Sequence, residues 1–438
     1  EINHVKTHLL PWRYSWKEWT ATVPVFFMAS LISGISLSGD FNIIANKDVL
    51  LSVQTDPSPV FLMPIFFGGL TLFLIISSLI ASLLNYFKSD YQLWEILGAN
   101  RWQLSILVAG QISLMAFISS IPGALIATPI SRYYYYYLQK YFGKGMMPDL
   151  NFGSQPLALL ATVALISSLA FVSGYFYTSK LLKQKVERKT FKFWIIVKKA
   201  VPWAILVALY ASLLFMFYHS EPLLGTGSLL YLMLVNVFAI YALSPYLQIG
   251  IIKLLSPVLL SHRYAPILAK WQILSQKSYL KAINASVVAG ITLVGSFQLL
   301  SQNIFSFFQE DGELELLVSF IAFFLAPVLL ILANVVSMTL LSVRQEAKEQ
   351  EQLATLGVSP AQLLHTKLWE SLIITGLAFF ISLVINLAMI GLMNHSLRLL
   401  KMGMTNWTGL FLPAIILSTL LFLLTFITKV SHIKKQTF

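Results

Sequence analysis

The chain has 438 residues, of which 57% are hydrophobic and only 11% charged; soluble domains carry about 25% charged residues, so an ordinary soluble globular protein is excluded. Cysteine is absent, which removes disulfides and thiolate metal sites from consideration. The net charge of +12 is concentrated in segments between apolar runs, a pattern that marks membrane orientation and attraction to anionic lipid headgroups rather than nucleic-acid binding.

Ten apolar stretches predict membrane spans, at about 23–40, 61–87, 103–130, 157–178, 198–218, 228–252, 283–301, 316–343, 366–392 and 408–428. Runs such as 61–87 and 316–343 hold no charged residue and exceed the roughly 20 apolar residues a helix needs to cross the hydrocarbon core. The expected class is an all-α integral membrane protein. With both termini in the cytoplasm, Lys and Arg collect on the inner side, most densely at 180–199 and 253–282, as positive-inside insertion requires. The polar start runs into a full-length span, so no cleavable leader is expected.

In chain order, the first element is an aromatic and basic segment at 4–20 with Trp12, Tyr14, Trp16 and Trp19, read as a helix lying in the inner interface. Two spans follow, and between the second and third lies a polar word with Asp90, Leu93, Trp94, Leu97, Gly98, Ala99, Asn100, Gln103 and Leu104. The outer segment after the third span carries Tyr133–Tyr137 with Arg132 and Lys140, read as an aromatic belt or a substrate-contacting ring. All outer segments are short, so no external domain is expected. A second aromatic and basic segment at 263–284, with Tyr264, Trp271 and Tyr279, opens a second four-span set. The domain expectation is therefore a first unit at 1–185, a basic linker with two connecting spans at 186–254, and a second unit at 255–438.

The polar word recurs after the eighth span. From Arg344 to Thr355 strong helix formers run without a breaker, and Glu346, Lys348, Glu349 and Glu351 decorate the side away from Leu353 and Leu356. Gly357 stands where a helix ends in a left-handed residue, and Ser359-Pro360 fits the cap and first turn of the next helix. In both copies Leu-Gly is followed at the same offset by Gln-Leu, Gln103-Leu104 and Gln362-Leu363. Two such turns at the foot of membrane helices point to docking of a soluble partner.

These residues resemble the FtsX-like permease family, the MacB-type (type VII) ABC transporter membrane subunits, in its long ten-span form without a large extracellular domain. The family motif runs basic–Glu–x–x–x–Leu–x–x–Leu–Gly–Ala, with a further Glu thirteen residues past the Gly. Lys348, Glu349, Leu353, Leu356, Gly357 and Glu370 match it in the second copy; Asp90, Leu97, Gly98 and Ala99 match in the first, where Ser89, Trp94 and Gln111 depart from it. The resemblance implies a non-catalytic subunit of the bacterial cell membrane, worked by mechanotransmission from a separate cytoplasmic ABC ATPase dimer that binds the ATP and magnesium. Its implied cargo is a hydrophobic peptide, an antimicrobial peptide or a lipid, and homodimerisation is not required. A signalling or structural role toward an extracellular cell-wall hydrolase or sensor, and an ATP-independent carrier, are the alternatives.

The residues themselves bear on these readings. The chain has no Gly-x-x-x-x-Gly-Lys-[Ser/Thr] loop to cradle phosphate, so no cofactor is expected in it. Apart from Asp40 at the very end of the first span, Glu370 is the one acid within a span, and intramembrane acids are costly and often functional. Beside Lys367 and His365 it reads as a structural ion pair or a hydrogen bond to the Gly357 turn. The seven histidines are scattered singly, so no metal site is expected.

Overall fold

The computed structural model describes residues 19–53, 56–87, 93, 98–183, 192–219, 222–259, 264–275, 277–300, 302–303, 325–399 and 407–436. A 3-10 turn at Thr20–Thr22 leads into α1 (Val23–Ala45), α2 (Lys47–Val53), α3 (Ser58–Tyr86), α4 (Arg101–Met146) and α5 (Pro156–Lys183). Then come α6 (Lys192–His219), α7 (Pro222–Leu259), α8 (Tyr264–Ser275), α9 (Lys277–Leu300), α10 (Leu325–Thr355), α11 (Pro360–Leu399) and α12 (Thr408–Gln436). No strand occurs among the described residues.

Seven of these helical segments are long and apolar enough to cross a membrane, and an eighth span is added if the bent pair Tyr231–Leu243 and Tyr246–Leu254 counts as one. Two further apolar segments, Thr71–Leu83 and Trp203–His219, are shorter. A spanning helix satisfies all its backbone groups internally, and the Ser and Thr side chains inside these helices do likewise. Ser33, Thr162, Thr339, Thr375, Ser382 and Thr425 each donate to the carbonyl four residues earlier.

The described residues fall into two compact units, one drawn from Glu1–Lys183 and Leu317–Glu351, the other from Gln184–Leu316 and Gln352–Phe438. In the first, α1 packs along α4, α4 along α5, and α3 against α1 and α5. Small residues permit this approach, as is usual where helices meet without a hydrophobic driving force. A Cβ added to Gly34 would fall 2.6 Å from the Ala127 Cβ, and one added to Gly123 would fall 1.9 Å from Ser30 Oγ and 2.6 Å from the Phe27 carbonyl oxygen. The serine could rotate away, but the backbone oxygen cannot. Gly123→Ala is therefore expected to destabilise the first unit by about 1–3 kcal/mol, the usual penalty of overpacking. Thermal unfolding in detergent checks this, against Gly110→Ala, whose Cβ meets open space. Helix α10 meets this unit at Gly68, where a Cβ would lie 3.5 Å from the Ala326 Cβ.

The end of α4 remote from Gly98 differs from the expectation of a short outer loop. The helical run reaches Met146 across a kink at Gly143, where φ is 76° and ψ 160°, and the strap 147–155 folds back over it. Tyr135 is buried and donates to the Pro148 carbonyl at 2.6 Å, Tyr136 donates to Leu150 at 3.2 Å, and Gln139 donates to Met147 at 2.8 Å. Asn42 of α1 accepts the Gly153 N–H at 2.9 Å, and Asn46 donates to the Asn151 carbonyl at 3.2 Å. Phe61, Tyr135, Leu138, Met147 and Leu150 form a small apolar core beneath. The tyrosine run is thus not a uniform belt: Tyr135 is core, while Tyr133 is 75% exposed.

Lys144 pairs with Asp149 at 2.7 Å on the surface of this cap. Hydrogen bonds from Lys144 and Gln139 hold the Asp149 carboxyl below the ordinary carboxylate range. A lowered folded-state value stabilises above the unfolded value and loses that contribution as pH falls through the folded one. Asp149→Asn should accordingly flatten the acid limb of a thermal-stability profile while leaving neutral stability nearly unchanged, since exposed pairs contribute little.

In the second unit α11 and α12 pack on each other and on α9, α7 joins α6 and α9, and α8 lies against α11. Gly295 and Gly409 allow the closest approach. A Cβ on Gly295 would fall 2.4 Å from Asn386 Nδ2, and one on Gly409 would fall 2.7 Å from the Leu299 backbone nitrogen. Of the expected interfacial helices, 1–18 lie outside the described residues. Trp19 is buried and stacks on Phe87 at 6.0 Å rather than facing headgroups. Helix α8 does expose Tyr264 and Trp271 while burying Ala269, Gln272 and Ile273. Residues 310–315, which carry four acids, and residues 184–191 at the start of the basic linker lie outside the described residues.

Candidate functional site

Two surface turns with left-handed glycines each stand at the foot of a long helix. At the second, α10 ends on Thr355, the Leu356 N–H reaches the Gln352 carbonyl at 3.1 Å, and the Val358 N–H reaches back to Leu353 at 3.1 Å. That six-to-one bond with Gly357 at φ 88° is the Schellman ending, which satisfies carbonyls a helix leaves free. Ser359 then caps α11 reciprocally: its N–H donates to Gln362 Oε1 at 2.9 Å, and the Gln362 N–H donates to Ser359 Oγ at 3.3 Å, the arrangement of a capping box.

The first turn follows the same grammar. Gly98 has φ 95°, Asn100 precedes α4, and its N–H donates to Gln103 Oε1 at 3.1 Å. Leu104 and Leu363, one residue further on in each copy, are both buried. The shared Leu-Gly and Gln-Leu are therefore stop and start signals: glycine supplies the left-handed residue, glutamine closes the box, and leucine is the first side chain to enter the helical core.

Apolar side chains project around both turns. Leu356 is 80% exposed and Leu93 59%, with Trp102 at 61% on the opening turn of α4. Leu353 and Ala99 are half-buried. Lys348 and Glu349 lie on α10, whose side chains there are outside the described set, as are Asp90, Trp94 and Leu97. Glu346, expected on the solvated side of this helix, is instead buried, and Ser342 donates to its carboxylate at 2.6 Å. The donor is the hydroxyl one turn earlier on the same helix.

Beyond the second turn, Glu370 is 1% exposed on α11. Its Oε2 accepts from Lys367 Nζ at 2.8 Å, its Oε1 accepts from Lys429 Nζ of α12, and Lys367 also donates to Gln272 Oε1 of α8 at 3.2 Å. Both lysines are as buried as the carboxylate. Charges taken out of water demand compensation on every side, and here three helices supply it, so the cluster ties α8 and α12 to α11. His365, proposed from sequence as a neighbour, is exposed. Lys429 and Gln272 were not foreseen; the signal available was that a lone acid in an apolar run requires a cation from another segment, and Lys429 ends the last such run. At the matching position of the first copy Gln111 is buried, and its Oε1 has no partner among the described residues.

The segment holding the second turn, α11, α12 and Glu370 with its lysines is also similar to a known family. Residues 318–438 match the family model of the FtsX-like permease C-terminal domain. The match takes in Gly357, Glu370 and Lys429 and leaves the first turn outside it. No curated protein matches the chain. FtsX-like permeases work as membrane subunits of ABC-type systems, which agrees with the apolar helices of this segment. Among the described residues no group of three or more His, Cys, Asp or Glu could hold a metal ion.

Proposed function

We propose that this protein is the membrane subunit of an ABC-type exporter, driven by a separate cytoplasmic ATPase dimer that docks at the Gly98 and Gly357 turns. The observation that carries the reading is the coincidence, within the FtsX-like segment, of an exposed Leu356-Gly357 turn with a buried charged clamp at Lys367 and Glu370 on the helix that follows it. Force delivered at the turn enters α11 axially. That helix has 40 residues, about 60 Å at 1.5 Å per residue, twice the hydrocarbon thickness. The Lys367–Glu370–Lys429 cluster makes α8 and α12 follow it.

Ten spans in a four-two-four order, with both termini inside, fit the charge distribution. The cargo class that fits apolar walls is a hydrophobic peptide, an antimicrobial peptide or a lipid. No phosphate-binding loop is present in the chain, so ATP and magnesium belong to the partner. Co-expression with candidate ABC ATPases tests the assignment. A stable complex whose ATP hydrolysis rises with one of these cargoes is expected, and failure of every ATPase from the same genome to co-purify overturns it. A signalling reading draws support from the ordered tyrosine cap at the far end of α4, which offers an external partner a defined surface. It predicts ATPase coupling without cargo-stimulated turnover.

A further inference from the structure

The connecting helix α7 bends by 62° between Tyr231–Leu243 and Tyr246–Leu254, and the sequence places Pro245 in the break. Inside the elbow is a cavity of about 230 Å³. Ile240 and Leu243 line it from one arm, Leu247 and Ile251 from the other, and Val288 of α9 with Phe380 and Val384 of α11 close it. All of these belong to the second unit. Leu243, Leu247, Phe380 and Val384 are exposed at the rim, so the cavity opens sideways, between α7 and α11.

Its chemistry selects the occupant. The volume equals roughly seven or eight waters at about 30 Å³ each. A buried water needs two to four polar partners, yet among the described lining residues the only polar side chains are Tyr210 and Asn236. Those two are hydrogen-bonded to each other, and the Asn236 amide also donates to Met389 Sδ at 3.3 Å. No charged residue is among the described lining residues, which offer neither a phosphate headgroup nor a carboxylate a counter-charge. A concave, mostly apolar site between bundle helices, with one convergent polar pair, has the composition of a ligand pocket. Left empty, its walls forfeit contacts outright.

We infer that the elbow of α7 is a binding site for a single acyl chain of a bilayer lipid, which enters from the side between α7 and α11. The inference rests on the chain lying in a membrane and not on the ATPase partner, so complex formation with an ATPase is a separate readout.

The test reconstitutes the full chain into phosphatidylglycerol–phosphatidylethanolamine vesicles in which part of the phosphatidylglycerol carries a diazirine on its acyl chain, followed by illumination and peptide mapping. Label at the peptide containing Val288 is expected several-fold above label at the peptides containing Phe176 and Phe411, which are outward-facing residues of α5 and α12. Val288→Phe, which fills the cavity, should lower that label at least five-fold and leave Phe176 unchanged. Should Val288→Phe fail to elute as a folded protein, Val384→Trp at the exposed rim blocks entry without needing buried room. Equal labelling at Val288 and Phe176 would mean ordinary boundary lipid and overturns the site. So does unchanged label in the folded blocked variants, or displacement of the label by a hydrophobic peptide in place of added lipid.

Discussion

Glu370→Ala is expected to cost the protein about 3–5 kcal/mol, the range seen when one member of a buried charge pair is removed. The cause is not the loss of an attraction alone. Lys367 and Lys429 both point their ammonium groups at that carboxylate from 1% or less exposure, so the variant leaves two cations facing each other in an apolar setting. Thermal unfolding in detergent reads the loss. The complementary change, Lys367→Met with Glu370→Leu and Lys429→Met, replaces the cluster by hydrophobic residues of similar bulk. Such replacements are often neutral or stabilising. If the single variant is no less stable than the parent, the clamp contributes nothing. If the triple variant is stable yet an ATPase bound to it is no longer stimulated by cargo, the cluster's purpose is transmission and not stability.

Leu356→Glu separates docking from folding. The side chain is 80% exposed, so fold stability should change by no more than about 0.5 kcal/mol. As an apolar anchor in a partner pocket it would carry at least about 2 kcal/mol of binding, or roughly a thirty-fold loss of ATPase affinity. Gly357→Ala probes the backbone instead. Nothing lies within 4 Å of the added Cβ, but φ is 88°, and a left-handed L-residue costs about 1–2 kcal/mol. The turn would be loosened without any new clash, and cargo-stimulated hydrolysis should fall more than binding does. Unchanged affinity in the Leu356 variant, measured by titrating the ATPase onto reconstituted protein, removes this turn from the interface.

The turns were legible in the sequence because their causes are local. A Leu-Gly stop and an Asn or Ser cap with Gln three residues on are decided by backbone hydrogen bonds within one or two turns of helix, and the described geometry has them. The all-helical class was legible for the same reason, since hydropathy and length act segment by segment. What escaped the sequence depends on partners remote along the chain. Lys429 meets Glu370 across 59 residues with no periodic mark on either. Trp19 looked like a headgroup anchor because tryptophan favours that level, yet it stacks on Phe87. The tyrosine run divides between core and surface because helical phase, not composition, assigns each ring its side. Repetition is read from order and compactness from contact, so the twin words and the two units answer different questions.

The division of the chain carries a consequence for biosynthesis. Helix α10, residues 325–351 of which group with α1–α5, is made only after α6–α9. At the usual 5–20 residues per second, roughly ten to thirty seconds separate Lys183 from Glu351 on the ribosome. During that interval the earlier helices wait in the membrane with a flank near Gly68 uncovered. A nascent chain arrested before residue 317 should be a substrate for membrane quality-control proteases, and separately expressed halves cut in the 184–191 segment should complement only when both are inserted together.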